Sequence, residues 1–243
     1  MFTYANTINL FRLNENISLI LRIVVHRSNR RLTGLTMQKV HIPSKQITLE
    51  GEINKPEKFN ERTAVIICHP HPLFGGNMYN NVVSALFYTL PERGMLTLRF
   101  NFRGVGGSQG KYDYGIGEKI DVNAVIKYLK MKFPQLKEVI VAGYSFGAWV
   151  SSLATAEGGC ANALVMIAPP ITLFNFDCLR NVKKPKFFII GDFDEFVPLK
   201  DFMAFYEMIP APKRYVVLRG ADHFFYGHEL EIAKTVADLL NNE

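Results

Sequence analysis

The chain has 243 residues, 48% of them hydrophobic and 21% charged, with a mean hydropathy of +0.05. A chain of this size and balance buries enough apolar surface to fold without disulfides or a structural metal, and it is neither disordered nor fibrous. Net charge is +6, but residues 1–36 hold Arg12, Arg22, Arg27, Arg30 and Arg31 against Glu15 alone, a net of +4 that leaves +2 for residues 37–243. The body is close to neutral, so the pI of 9.2 is weak support for nucleic acid binding.

A membrane-spanning helix needs about 18 or more consecutive apolar residues. The nearest run, Ile17–Val25, is short and carries Arg22, so no membrane span is expected. The three cysteines, Cys68, Cys160 and Cys178, are odd in number and form no CxxC pair. Neither a disulfide framework nor a zinc site is expected, and a reducing, cytoplasmic setting fits. Segment 1–36 has three readings. It resembles an Arg-rich, acid-poor transit peptide, which would send the protein to an organelle. It also reads as an extension before a domain spanning residues 37–243, or as an extra element packed on that domain.

From Gln38 onward strands and helices alternate. Val40–Ile42 and Ile47–Ile53 read as an antiparallel pair turning at Pro43-Ser44-Lys45. Ala64–Cys68 is a continuous apolar run, as expected of a strand buried on both faces. Helical spacing follows over Asn80–Leu90, then a strand at Leu96–Phe100. Ile116–Met131 reads as an amphipathic helix with Ile120, Ala124, Ile126, Leu129 and Met131 on its apolar side. Val139–Ala142 is a strand and Ser145–Ala156 a helix. Ala163–Ala168, Phe187–Ile190 and Tyr215–Leu218 are further strands, and Phe202–Met208 and Leu230–Leu240 further helices. The pattern predicts one α/β domain with a mostly parallel, doubly wound sheet covered by helices on both faces. Pro169–Pro185 is too short for a large cap domain.

The strongest motif is Gly143-Tyr144-Ser145-Phe146-Gly147, between an apolar strand and a helix start. A serine on so sharp a turn takes strained backbone angles, and its neighbours two residues away must be small for strand and helix to approach. Its hydroxyl needs a base to attack at neutral pH. Of six histidines, His26 and His41 precede the core, and His228 reads as a surface residue at the start of the last helix. His223 follows the last strand, at the sheet edge where open α/β sheets carry their sites. A carboxylate must orient that base. Asp194 lies far enough into the loop after Phe187–Ile190 to turn back towards it. Asp192 is expected to cap its own turn and Glu195 to be solvated.

An oxyanion hole needs two amides. Phe146 N–H, after the serine, is one. The other is expected from His69-Pro70-His71-Pro72-Leu73-Phe74-Gly75-Gly76, where both prolines lack an N–H. His71 N–H is the first choice and Leu73 N–H the next. A rival reading makes His69 and His71 metal ligands, but alternate residues of an extended strand point opposite ways. The site is expected to need neither metal nor cofactor. Gly104 and Gly106 begin a GxGxxG, but Gln109 breaks it and no Lys-Ser or Lys-Thr ends the segment, so it is no nucleotide loop. Arg103 is expected to brace neighbouring loops through their carbonyls.

Taken together, His69–Met78, Asn101–Gly110, Gly143–Gly147, Asp194 and Gly220–Phe225 resemble the α/β-hydrolase superfamily. The likeness is to small predicted serine hydrolases with a His-Pro-His-Pro-x-x-Gly-Gly loop, near the dienelactone-hydrolase-like and serine-aminopeptidase-like branches. It covers about residues 38–240. It implies a Ser-His-Asp hydrolase carried by Ser145, His223 and Asp194, acting on a small ester, thioester or amide, with a carboxylesterase as the default. The expected partner is a small acyl substrate. Phe74 and Tyr79 are expected to touch it, within an apolar pocket that draws on Phe146, Phe174, Phe196, Phe224 and Phe225. The rivals are a non-catalytic scaffold, a binding module using the N-terminal arginines, and an acyltransferase with the same triad.

Overall fold

The computed structural model describes residues 35–57, 59 and 62–241. The three readings of the N-terminal segment concern residues that lie almost wholly outside this range. Eight strands form one sheet: β1 (Leu35–Ser44), β2 (Ile47–Pro56), β3 (Thr63–Cys68), β4 (Leu96–Phe100), β5 (Glu138–Tyr144), β6 (Ala163–Ile167), β7 (Lys186–Gly191) and β8 (Lys213–Leu218), in the order β1-β2-β4-β3-β5-β6-β7-β8. β2 runs antiparallel to β4, and every pairing from β4 through β8 is parallel. Among the described residues five α-helices cover it: α1 (Asn81–Thr89), α2 (Ile116–Lys132), α3 (Phe146–Ala156), α4 (Leu199–Met208) and α5 (Glu229–Asn241). Among the described residues no helix is long and apolar enough to cross a membrane.

The period of two divides the core. In β3, Ala64, Ile66 and Cys68 join a cluster with Val122 and Val125 of α2, Ala148 and Val150 of α3 and Phe202 of α4. Val65 and Ile67 face the other way, onto Val82, Leu86 and Phe87 of α1 and Ile232 and Val236 of α5. Strands buried on both faces are mostly apolar, as β3, β5 and β6 are, whereas buried Thr97 and Arg99 of β4 and Lys186 of β7 are each held by hydrogen bonds. The edge differs: β1 alternates buried Val40, Ile42 and Ser44 with exposed Lys39, His41 and Pro43.

The first hairpin turns at Lys45, in the left-handed region at φ 53°, and keeps Pro43 and Ser44 inside β1. That strand starts five residues before the predicted Val40. β8 likewise starts at Lys213, because its first residues are polar ones on a half-open edge strand. α2 needs a larger correction. Its buried face is Glu118, Asp121, Val122, Val125, Ile126 and Leu129, whereas Met131 is exposed. The two acids are buried because each is fully bonded. Glu118 accepts Asp113 N–H and Gly115 N–H, both at 2.7 Å, which holds the helix start. Asp121 accepts Ser44 Oγ at 2.8 Å and Arg103 three times, at 3.1 Å from its backbone N–H, 3.0 Å from Nε and 2.7 Å from Nη2. Arg103 therefore braces its loop through this carboxylate and not through carbonyls.

Removing one partner of a buried ion pair leaves the other charge uncompensated, at about 3–5 kcal/mol. Asp121→Ala is expected to lower the unfolding free energy in urea by that much. A loss under about 1 kcal/mol would show that Arg103 rehydrates freely.

Candidate active site

Ser145 sits between β5 and α3 at φ 54° and ψ −117°, a conformation that costs a non-glycine residue strain. Its amide donates to Ile167 O of β6 at 2.8 Å, and its carbonyl accepts Ala148 N–H at 2.9 Å. The turn leaves no room beside it. A Cβ on Gly143 would strike the backbone of Gly147, and one on Gly147 would strike the carbonyls of Cys68 and His69. Both glycines are therefore steric requirements. The second contact also lays the end of β3 against the start of α3.

His223 Nε2 lies 3.0 Å from Ser145 Oγ, and His223 Nδ1 lies 2.8 Å from Asp194 Oδ2. Asp194 and His223 are both buried. A carboxylate only accepts, so Nδ1 carries the proton and Nε2 offers its lone pair to the serine hydroxyl. Asp194 Oδ1 accepts Phe196 N–H at 2.9 Å and Val197 N–H at 3.0 Å, which fixes the carboxylate. Asp192 is placed elsewhere. It is exposed, and its carboxylate accepts Gly220 N–H at 2.6 Å, joining the loops after β7 and β8 instead of capping its own turn. Glu195 is exposed. His228 pairs with Glu231 at 2.9 Å at the head of α5.

Tyr144 was not legible as a site residue. It is buried beneath the serine and donates from its hydroxyl to His223 O at 2.7 Å, tying the histidine loop to the elbow. Burial pushes its phenol far above the ordinary range. Phe196 meets the His223 ring edge-on, centroids 4.8 Å apart.

The loop after β3 is closed on itself. Leu73 N–H donates to His71 Nδ1, Phe74 N–H and Gly76 N–H to His71 O, and Gly75 N–H to Pro72 O. Pro70 and Pro72 have no N–H. His71 N–H is the amide of residues 70–76 left without an acceptor among the described residues. Phe146 N–H opens α3, where first-turn amides have no helical partner. Leu73, the alternative donor, is occupied.

The two loop histidines hold opposite tautomers. His69 donates from Nδ1 to Pro70 O at 2.7 Å and accepts Phe102 N–H on Nε2 at 3.1 Å. It clips the loop after β3 to the loop after β4, and neither nitrogen is left for a metal ion. Burial pushes its pKa down to about 4. The His71 ring accepts on Nδ1, so Nε2 carries its proton and faces Tyr112 Oη at 3.2 Å. Phe74 is exposed and packs on that ring at 4.8 Å. Tyr79 is directed away, with its hydroxyl on Glu52 and its ring under Arg99. Phe146 and Phe225 are fully buried core residues, and Phe174 stacks on Trp149 at 4.4 Å.

Comparison with known proteins agrees with this architecture. No family model matches. An uncharacterised protein of Rickettsia prowazekii is 32% identical over 212 residues, covering 84% of this chain and 89% of the relative. An α/β serine hydrolase homologue from Coxiella burnetii is 38% identical, with a TM-score of 0.76 over 84% of this chain and 97% of that one. A structure from Xanthomonas campestris, described as an α/β serine hydrolase without a lid, is 30% identical with a TM-score of 0.77 over 86% and 95%. The chain belongs to the α/β-hydrolase superfamily. Its β6–β7 connection, like that description, has no cap, only a short 3-10 turn at Asp177–Asn181.

His69 gives the site a pH limit. Its pKa falls on folding from an ordinary 6.5 to about 4, so the unfolded chain takes up the proton first. Stability is complete above about pH 6.5 and declines as pH falls towards about 4, by up to about 3 kcal/mol. Urea unfolding from pH 7.5 to 4.5 should show this loss, and His69→Gln should remove most of it. An equal acid loss in the variant would assign the effect to other groups.

Proposed function

We propose that the protein is a serine hydrolase that cleaves a small carboxylic ester through an acyl-enzyme. The observation that carries this reading is the unbroken hydrogen-bonded line from Asp194 through His223 to Ser145. A scaffold that binds without catalysis needs neither that line nor a strained serine.

In this reading Ser145 Oγ attacks the acyl carbonyl while its proton passes to His223 Nε2. Asp194, held by two amides, keeps the imidazole in the useful tautomer and stabilises the imidazolium. The carbonyl oxygen gains negative charge and is met by Phe146 N–H and His71 N–H. Collapse expels the alcohol, which leaves with the proton from His223. Water then repeats the sequence on the acyl-serine and regenerates the enzyme. An amide or thioester would pass through the same intermediate.

Exposed Phe74, Phe196 and Phe224 rim the loops around the serine. They suit an apolar acyl or alcohol group, which a site without a cap admits directly. The chemistry belongs to residues 37–243, with segment 1–36 outside it. The free cysteines Cys68, Cys160 and Cys178 fit a reducing, cytoplasmic setting.

Ser145→Ala is expected to cost on the order of 10⁴–10⁶ in turnover of p-nitrophenyl acetate and butyrate, and to abolish fluorophosphonate labelling. Equal rates in the two proteins would sink the serine mechanism. Asp194→Asn should lose about 10⁴ in kcat, and Asp192→Asn far less. The reverse order at pH 7 and pH 9, with both variants folded by circular dichroism, would give the orienting role to Asp192.

A further inference from the structure

We propose that the His71 imidazole is a positioning residue: held as the Nε2–H tautomer between Leu73 N–H and Tyr112 Oη, it sets the loop that presents His71 N–H to the substrate oxygen, and a second ring proton unlocks that loop. The inference rests on the serine-hydrolase reading and adds to it a side chain that acts through its own backbone amide, without itself touching the reacting atoms.

The loop is built around this one side chain. Leu73 N–H meets Nδ1 at 3.2 Å, a side-chain-closed turn of the kind that Asn and Asp make two residues ahead of an amide. The ring is wedged among Phe74 and Phe146, each at 4.8 Å, Tyr112 at 5.3 Å and Phe174 at 6.4 Å. These rings come from its own loop, from α3, from the segment before α2 and from the β6–β7 connection. His71 is thus the hub where four elements meet beside Ser145. The backbone at the same residue carries the loop's free amide.

Its proton chemistry is constrained on every side. The titratable groups that face it are Tyr112, through the hydroxyl, and His69 two residues away, which feels the His71 ring's charge and has both its nitrogens bonded. No ion pair among the described residues includes the ring. Glu118, the acid that acts on Tyr112, has its carboxylate oxygens bonded to Asp113 N–H and Gly115 N–H. A second proton on His71 must therefore go onto Nδ1, where it confronts the Leu73 N–H and finds no acceptor. Burial opposes it and holds the ring's pKa below the ordinary histidine range. Once the proton is on, the Leu73 bond is lost and the turn that sets His71 N–H opens.

Two substitutions separate this role from packing. In His71→Asn the side-chain oxygen can accept the same Leu73 N–H but cannot titrate. In His71→Leu the space is partly filled and no acceptor remains. With p-nitrophenyl butyrate at pH 8, His71→Leu should lose about 10²–10³ in kcat, as for a lost oxyanion donor, and His71→Asn should stay within about tenfold of wild type. Below neutral pH the wild-type log kcat should fall more steeply with acid than that of His71→Asn, whose side chain takes up no second proton. A ¹⁵N-histidine NMR titration of the wild type reads the device without turnover: His71 should appear as the Nε2–H tautomer, and the Leu73 amide should shift with its titration.

Asparagine as damaging as leucine, coincident acid limbs, or a Leu73 amide indifferent to His71 would each overturn the proposal. If His71→Leu does not fold, the asparagine pH profile and the titration decide. Fluorophosphonate labelling of wild-type Ser145 keeps the two readings apart. Without labelling the serine reading falls and takes this inference with it, whereas labelling alongside unaltered pH behaviour removes the inference alone.

Discussion

The structure depends on how closely α3 approaches the ends of β3 and β5. Helix and strands meet backbone to backbone, with no side chain between Gly143 and Gly147 or between Gly147 and the Cys68 and His69 carbonyls. That approach forces Ser145 into its strained turn. It also brings the α3 amides beside the His69–Gly76 loop. A strained residue persists only when its surroundings over-determine it. Here the Ser145 amide is fixed by β6, its carbonyl by α3, and its flanking positions by contacts that leave no space for a methyl group. The position of Ser145 is therefore a property of the sheet and helix, and not of a loop.

The parallel sheet was legible because strands buried on both faces have mostly apolar choices, and the runs Ala64–Cys68, Val139–Ala142 and Ala163–Ala168 show it. The serine turn was legible because its glycines are a steric demand written in sequence. The outer elements were not. β8 begins with Lys213 and Arg214, whose polarity suits an edge and hides a strand. α2 was assigned its apolar side from Ile120, Ala124, Ile126, Leu129 and Met131; Ile126 and Leu129 do face inward, but beside Glu118 and Asp121. Hydropathy counts those acids as outward, and only their partners, the amides of Asp113 and Gly115 and the side chains of Ser44 and Arg103, make burial affordable. Those partners lie up to 77 positions away, beyond any local pattern.

The same limit applies within the site. Ser145, His223 and Asp194 announce themselves by residue type and by position after a strand. The residues that hold them do not. Tyr144 reads as the variable position of the Gly143–Gly147 turn, and its bond to the His223 carbonyl spans 79 positions. His69 and His71 look alike in sequence yet carry opposite tautomers, because one faces Pro70 O and Phe102 N–H while the other faces Leu73 N–H and Tyr112. Tautomer is set by neighbours, and those neighbours come from distant segments. Tyr79 lies close to the site in sequence, but Arg99 and Glu52 draw it away.

The tie between Asp192 and Gly220 extends the β7–β8 ladder past the end of the sheet. Asp192 N–H reaches Leu218 O, Phe193 N–H reaches Ala221 O, and the Asp192 carboxylate receives Gly220 N–H. The segments bearing Asp194 and His223 are thus two arms of one stiff ribbon, and Tyr144 pins that ribbon to the elbow. With no cap to swing and no gap between these arms to shut, the site has its working shape before anything enters. In the proposed hydrolase reading, encounter with a small molecule then requires no closing step.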